Sequence, residues 1–217
     1  MKTKIGFLFF LMQSVLIVNS QEFDKKSDKA VVPDFILVMQ DGYYGVLNSA
    51  GKEIVKPIYD IIFSFGEHHP EWAMVYSNGM YGFITKDGKE IVKPRYDKIF
   101  EFGEYHSDWA MVYSCGMYGF ISKDGKEIVK PIYDQIFAFG EIHSDWALVY
   151  SCGMYGLISK NGKEIVKPRY DQIFVFGEQH SDWAKVTSCG MYGFINKEGK
   201  EVVKPRFDSI EIEKFVS

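Results

Sequence analysis

All five histidines of the chain fall in one recurring segment, Gly-Glu-x-His-x-(Asp/Glu)-Trp. It occurs as Glu67, His69, Glu71, Trp72; as Glu104, His106, Asp108, Trp109; as Glu141, His143, Asp145, Trp146; and as Glu178, His180, Asp182, Trp183. His68 is an extra imidazole in the first copy. In an extended segment, alternation puts the Glu, the His and the second acid on one face. Carboxylates flanking an imidazole are metal-ligand types, and histidines of adjacent copies could line up in a column. No copy holds a His-x-His or His-x-x-His pair, so no recognised metal signature is present and no cofactor is expected. The tryptophans have two roles open to them. As an exposed strip they would suit a glycan or a peptide, and as buried anchors they would fill joints between copies. Their Ala, Met or Leu, and Val neighbours favour burial.

Cys115, Cys152 and Cys189 share a second recurring position, where Asp41 and Asn78 stand in the other copies. An odd number leaves one thiol without an intramolecular partner. The histidines supply the nearest general-base type, yet nothing beyond shared presence joins them to a thiol. The chain carries no phosphate-binding glycine loop, no Ser-His-Asp order at a known spacing and no zinc-finger pairing, so no enzymatic activity is expected.

These residues sit on a strict repeat. The pairs Tyr44-Gly45, Tyr81-Gly82, Tyr118-Gly119, Tyr155-Gly156 and Tyr192-Gly193 recur every 37 residues. A fixed period in that range marks a repeat architecture. Within a copy, the strand-forming run WAMVYS precedes a Cys-Gly, Asn-Gly or Asp-Gly turn. MYGFISK, a second Gly-containing turn and KEIVK follow. Asx-Gly between strand-like runs predicts type I′ hairpins, so each unit reads as a three-stranded antiparallel meander. Pro57, Pro94, Pro131, Pro168 and Pro205 are expected to end the third strands, because proline cannot donate to a ladder. The Asp of the following Tyr-Asp or Phe-Asp pair is expected to fix the bend. The Ile-Phe segment after it reads as a short fourth strand or an extended layer against the next unit. The Lys-Glu pairs of the third strands read as a solvated face.

The fold class expected is therefore all-β: tandem 37-residue meanders forming an open, solenoid-like array of five units. A five-bladed propeller is the alternative, for which the period is slightly short.

The block MYGFISKDGKEIVKPIYDQIFAFGE resembles the bacterial WG (KWG) repeat. That family carries a Trp-Gly pair, an aromatic-Ile segment, a Gly-Lys turn, a Pro-x-Tyr-Asp block and a Phe-containing loop. The likeness runs from Phe35 to the C-terminus. It departs in having Tyr-Gly in place of Trp-Gly in all five copies, and in its longer His-bearing loop. The resemblance implies a β-repeat, often on exported or modular proteins, with no assigned chemistry and a role in binding.

Residues 1–20 read as a signal peptide: Lys2 and Lys4, an apolar run from Ile5 to Val18, then Ser20 at the cleavage point. The apolar run is short for a bilayer span. Residues 21–34 read as a disordered leader and residues 35–217 as one repeat domain. Cleavage would leave 23 basic residues against 29 acidic ones, a net charge of −6. That balance argues against nucleic acid and against anionic membrane as partners. The expected protein is exported, whether periplasmic, cell-surface or secreted. It is expected to bind a protein or glycan through the loops, with Glu67, His69, Trp72 and their equivalents as the contact residues.

Overall fold

The computed structural model describes residues 34–212. The proposed signal peptide and most of the leader lie outside the described residues. The described residues form one compact unit. It contains nineteen strands in five antiparallel sheets and no helix among the described residues.

The first sheet has three strands: β1 (Phe35–Gln40), β2 (Tyr43–Asn48) and β3 (Glu53–Tyr59). The second has four: β4 (Ile61–Ile62), β5 (Trp72–Ser77), β6 (Met80–Thr85) and β7 (Glu90–Tyr96). The third runs β8 (Lys98–His106), β9 (Trp109–Ser114), β10 (Met117–Ser122) and β11 (Glu127–Tyr133). The fourth runs β12 (Gln135–Ile136), β13 (Trp146–Ser151), β14 (Met154–Ser159) and β15 (Glu164–Tyr170). The fifth runs β16 (Gln172–Ile173), β17 (Trp183–Ser188), β18 (Met191–Asn196) and β19 (Glu201–Phe207).

The unit is thus larger than a three-stranded meander in four of its five copies. The segment after Tyr-Asp is a true strand, and it pairs with the first strand of the meander that follows. Ile61 lies opposite Tyr76 and Ile62 opposite Val75. The structural boundary of a unit therefore falls at Asp60, Asp97, Asp134 and Asp171. These carboxylates act at a distance. Asp60 accepts from the amide of Asn78 at 2.8 Å, Asp97 from Cys115 at 2.7 Å, Asp134 from Cys152 at 2.8 Å and Asp171 from Gly190 at 3.0 Å. Each ties the start of a unit to its first turn.

The prolines do not end the third strands. β7 continues through Pro94 to Tyr96, and the register slips there: Phe83 pairs with Val92, but Tyr81 pairs with Tyr96. Pro94 rides in a bulge, where the extra residues need no ladder bond. β7 is also the edge of its sheet, so a missing N–H is tolerated. The two turns differ as well. The first has positive φ at both central residues, as in Asn78 (52°) and Gly79 (82°), which fits type I′. In the second turn only the glycine is left-handed, as at Gly88 (83°). Its amide donates to the Thr85 carbonyl at 2.9 Å, the pattern of a type I turn closed by glycine.

Successive sheets stack, and the core lies between them. At the first joint, Val46, Val55 and Tyr59 meet Ile62, Ala73, Val75 and Ile84 of the next unit. The same positions build the other three joints. Alternation explains the pattern. Along β5, Trp72 and Met74 face the following unit, whereas Ala73 and Val75 face the preceding one. Both sheet faces of an internal unit are covered, which is why WAMV is buried without a break.

Each joint also carries a polar latch. The Tyr59 hydroxyl donates to Glu90 at 3.0 Å, Tyr96 to Glu127 at 3.4 Å, Tyr133 to Glu164 at 3.1 Å and Tyr170 to Glu201 at 3.1 Å. The Lys-Glu pair of the third strand is therefore only half a solvated face, since its Glu is the acceptor of the joint. The second-turn glycine settles on the preceding sheet: a Cβ on Gly88 would stand 2.1 Å from the Ile54 carbonyl oxygen.

Candidate functional site

The four loops between Phe65 and Trp72, and their equivalents, share the same His-Trp turn, although in the second copy strand β8 runs on to His106. Gly66 is left-handed (89°), its amide donates to the Trp72 carbonyl at 3.1 Å, and the Trp72 amide donates to the His69 carbonyl at 3.0 Å. That closes a tight turn over His69-Pro70-Glu71-Trp72. The imidazole folds back on the indole. Ring centroids are 4.2 Å apart for His69–Trp72, 4.3 Å for His106–Trp109, 4.2 Å for His143–Trp146 and 4.3 Å for His180–Trp183. Nδ1 of each histidine accepts the amide two residues on, at 3.2–3.3 Å. The other flank of His69, His106 and His143 meets a phenylalanine of the next loop, Phe102, Phe139 or Phe176, at 5.7–6.0 Å.

The histidine is thus a clasp between indole, backbone and the neighbouring loop. Trp72, Trp109 and Trp146 are buried, and Trp183, in the last described sheet, is half-buried. The indoles do not form an exposed aromatic strip, because each is a joint anchor roofed by its histidine. Burial lowers the His69 pKa, Lys123 of the next unit adds to the shift, and Glu71 opposes it. The neutral imidazole is the form that can keep Nδ1 as an acceptor. Among the described residues no three metal-ligand types converge.

The acids divide into two sets. Glu71, Asp108, Asp145 and Asp182 pair with the second-turn lysines Lys86, Lys123, Lys160 and Lys197 at 2.7–3.4 Å. These lysines hold the Asp108 and Asp182 carboxyls below the usual range. Glu67, Glu104, Glu141 and Glu178 are exposed and belong to no ion pair among the described residues. The residue between Glu and His, variable in sequence, points inward. Ile142 is core, whereas the His68 Nδ1 and Gln179 Oε1 atoms are buried without a protein partner. Sequence alternation placed Glu, His and the second acid together on one face; the tight turn that follows the His reverses the chain before the second acid, which pairs with a lysine, while the Glu stays exposed and the imidazole folds onto the indole.

The cysteines sit at the tips of the first turns, exposed and unbridged. Their backbones are left-handed: φ is 51° at Cys115, 52° at Cys152 and 50° at Cys189. Successive turns belong to stacked sheets about 10 Å apart. That exceeds the roughly 7 Å between Cα atoms that a disulfide spans. The positive φ favours Asn, which stands at position 78, over Cys. Replacing all three cysteines by Asn should raise stability by about 0.5–1 kcal/mol per site. Chemical denaturation of the reduced protein measures this, and an unchanged midpoint would refute it.

The fold and its joints define a tandem β-repeat protein, in which each unit completes the core of its neighbour. The family described as WG containing repeat matches residues 44–80, 81–114, 118–150, 155–186 and 192–214, and the chain belongs to that family. No curated protein matches it. Among solved structures, it is similar to a dihydro-heme d1 dehydrogenase, NirN, in complex with DHE, at 14% identity and a TM-score of 0.32, covering 85% of this chain and 45% of that one. It is also similar to BamB from Moraxella catarrhalis, at 11% identity and a TM-score of 0.29, covering 79% of this chain and 61% of that one. A third is Hsv2 of Kluyveromyces lactis, at 12% identity and a TM-score of 0.28, covering 78% and 59%. The chain thus spans 45–61% of the length of these structures.

Proposed function

We propose that this chain is a non-enzymatic, exported binding module that engages a basic protein surface through its row of loop carboxylates. One observation carries the proposal: Glu67, Glu104, Glu141 and Glu178 are exposed at one loop position, each in a loop with the same His-Trp stack. Near-identical loops at successive joints offer one contact several times, and linked contacts multiply in avidity. An asymmetric active site would instead need one copy to diverge. The second acid of each loop is occupied by a second-turn lysine, and the net negative charge of the chain suits a cationic partner. Export is supported by the sequence pattern of residues 1–20. The metal alternative is not favoured, because Nδ1 of each loop histidine already accepts a backbone amide. Glycan binding on an aromatic strip is not favoured where the indoles are buried.

The test is graded. A partner is captured with the wild-type protein from the extracytoplasmic fraction of the source, and its affinity is then measured for Glu→Gln variants. One substitution should weaken binding a few-fold, and E67Q/E104Q/E141Q/E178Q should weaken it by about a hundredfold or more. A quadruple variant that binds as well as wild type would overturn the proposal.

A further inference from the structure

The two ends of the array are halves of the joint that the interior repeats four times. On the face that an internal unit turns to its predecessor stand Ala73, Val75 and Ile84, all fully buried. The first unit has Ile36, Val38 and Leu47 at these positions, still apolar; Ile36 is 37% exposed and the other two are half-buried. Gly51, the counterpart of Gly88, has nothing within 4 Å of a built Cβ, where Gly88 would strike the preceding sheet. Glu53, the counterpart of Glu90, is exposed and receives no tyrosine hydroxyl among the described residues.

The opposite end shows the reciprocal face. Phe207 stands where Tyr59, Tyr96, Tyr133 and Tyr170 are buried, and it is 40% exposed. Val202 is 41% exposed. An open groove of about 820 Å³ runs along Val202, Val203, Phe207 and Ile210, with Lys204, Arg206, Ser209 and Glu211 also lining it. The charge is complementary as well. In two internal joints an arginine beside the tyrosine reaches the Glu of the next unit: Arg95 to Glu127 at 3.5 Å, and Arg169 to Glu201 at 3.6 Å. Arg206 occupies that place in the fifth unit and has no acid partner among the described residues.

From this we infer that the fifth unit of one copy receives the first unit of a second copy, head to tail, with Arg206 paired to Glu53 across the new joint. The contact is heterologous, so it extends the array instead of closing a twofold dimer. Two substitutions weaken it relative to the internal joints. Phe207 cannot donate the hydroxyl bond that the tyrosines make. Lys185 replaces Met74, Met111 and Leu148, and its ammonium lies 4.8 Å from the Phe174 ring. The association is therefore reversible and concentration-dependent, not a permanent fusion.

Sedimentation velocity across a roughly thousandfold concentration range tests this on the purified protein. The mean mass of the wild type should rise with concentration. Glu53→Arg or Arg206→Glu alone should weaken association by about tenfold, because like charges then meet in the joint. The double variant E53R/R206E should restore it, since the exchanged charges again meet as an opposite pair across the joint. Ile36→Glu should abolish it, with circular dichroism and the melting temperature confirming the fold. A wild type that stays monomeric would overturn the inference, and would mean that the chain's own segments cover the two faces. Association indifferent to both charge reversals and to Ile36→Glu would place the contact elsewhere and overturn it equally. Neither result depends on the loop carboxylates, so the test is separate from that of the binding row.

Discussion

Replacing Gly119 by Ala is expected to lower stability by about 3 kcal/mol, at the upper end of what overpacking costs. A built Cβ at Gly119 would stand 2.4 Å from the Val129 carbonyl oxygen, 2.7 Å from the Pro131 nitrogen and 2.8 Å from the Lys130 carbonyl carbon. All three are backbone atoms of the bulged strand β11, so no side chain can swing aside. The strand must lift, which strips ladder bonds from β10 and pulls Val129 and Tyr133 from the third joint. In a domain of this size the melting temperature should fall by about 6–12 °C. Gly116→Ala separates space from backbone strain. Gly116 has φ of 85° and nothing within 4 Å of its built Cβ, so only the left-handed penalty applies, about 1–2 kcal/mol. If the two variants melt together, close approach of β11 is not what requires glycine at 119.

That glycine shows how much of the molecule was legible beforehand. The period, the order of strands and the first turn could be read from spacing and Asx-Gly chemistry alone. The Tyr-Gly pair announced the repeat but not its own reason. A proline expected to stop the strand instead bulges it across the glycine, and a single chain gives no sign of which backbone crosses which. The fourth strand was ambiguous for a related cause. Two residues such as Ile61 and Ile62 carry too little period to identify their partner, and β5 lies ten residues further along. Burial of the tryptophans could be argued from their apolar neighbours. The fate of the histidines could not, because a tight turn after each one takes the second acid away and folds the imidazole onto the indole. Likewise the Lys-Glu pairs have an ordinary solvated pattern, and only stacking shows that the Glu is the acceptor of the preceding tyrosine. What escaped the sequence lies mostly at the joints, whose contacts span about thirty residues and depend on sheet-to-sheet geometry.

Those latches make the array sensitive to alkali. Burial raises the pKa of Tyr59, Tyr96, Tyr133 and Tyr170 above the usual phenol value. The acceptor glutamates push the same way, and Arg95 and Arg169 partly oppose the shift at Tyr96 and Tyr170. A phenol whose folded pKa exceeds its unfolded value of about 10 contributes its full stabilisation below pH 10. Above that pH the unfolded chain releases the proton and the folded chain keeps it, so stability falls with rising pH until the folded pKa is passed. Each such tyrosine contributes a slope of about 1.4 kcal/mol per pH unit within the window. Denaturant midpoints should therefore be flat from neutral pH to about 9.5 and then drop steeply. Phenolate absorbance should show the latch tyrosines ionising only as the protein unfolds. Tyr133→Phe, the change that the fifth unit already carries at Phe207, should cost about 1 kcal/mol at neutral pH for the lost Glu164 bond. The same variant should make the alkaline slope shallower by one tyrosine's share. A slope unchanged in Tyr133→Phe would show that the joint tyrosines ionise freely in the folded state and that the latch does not hold.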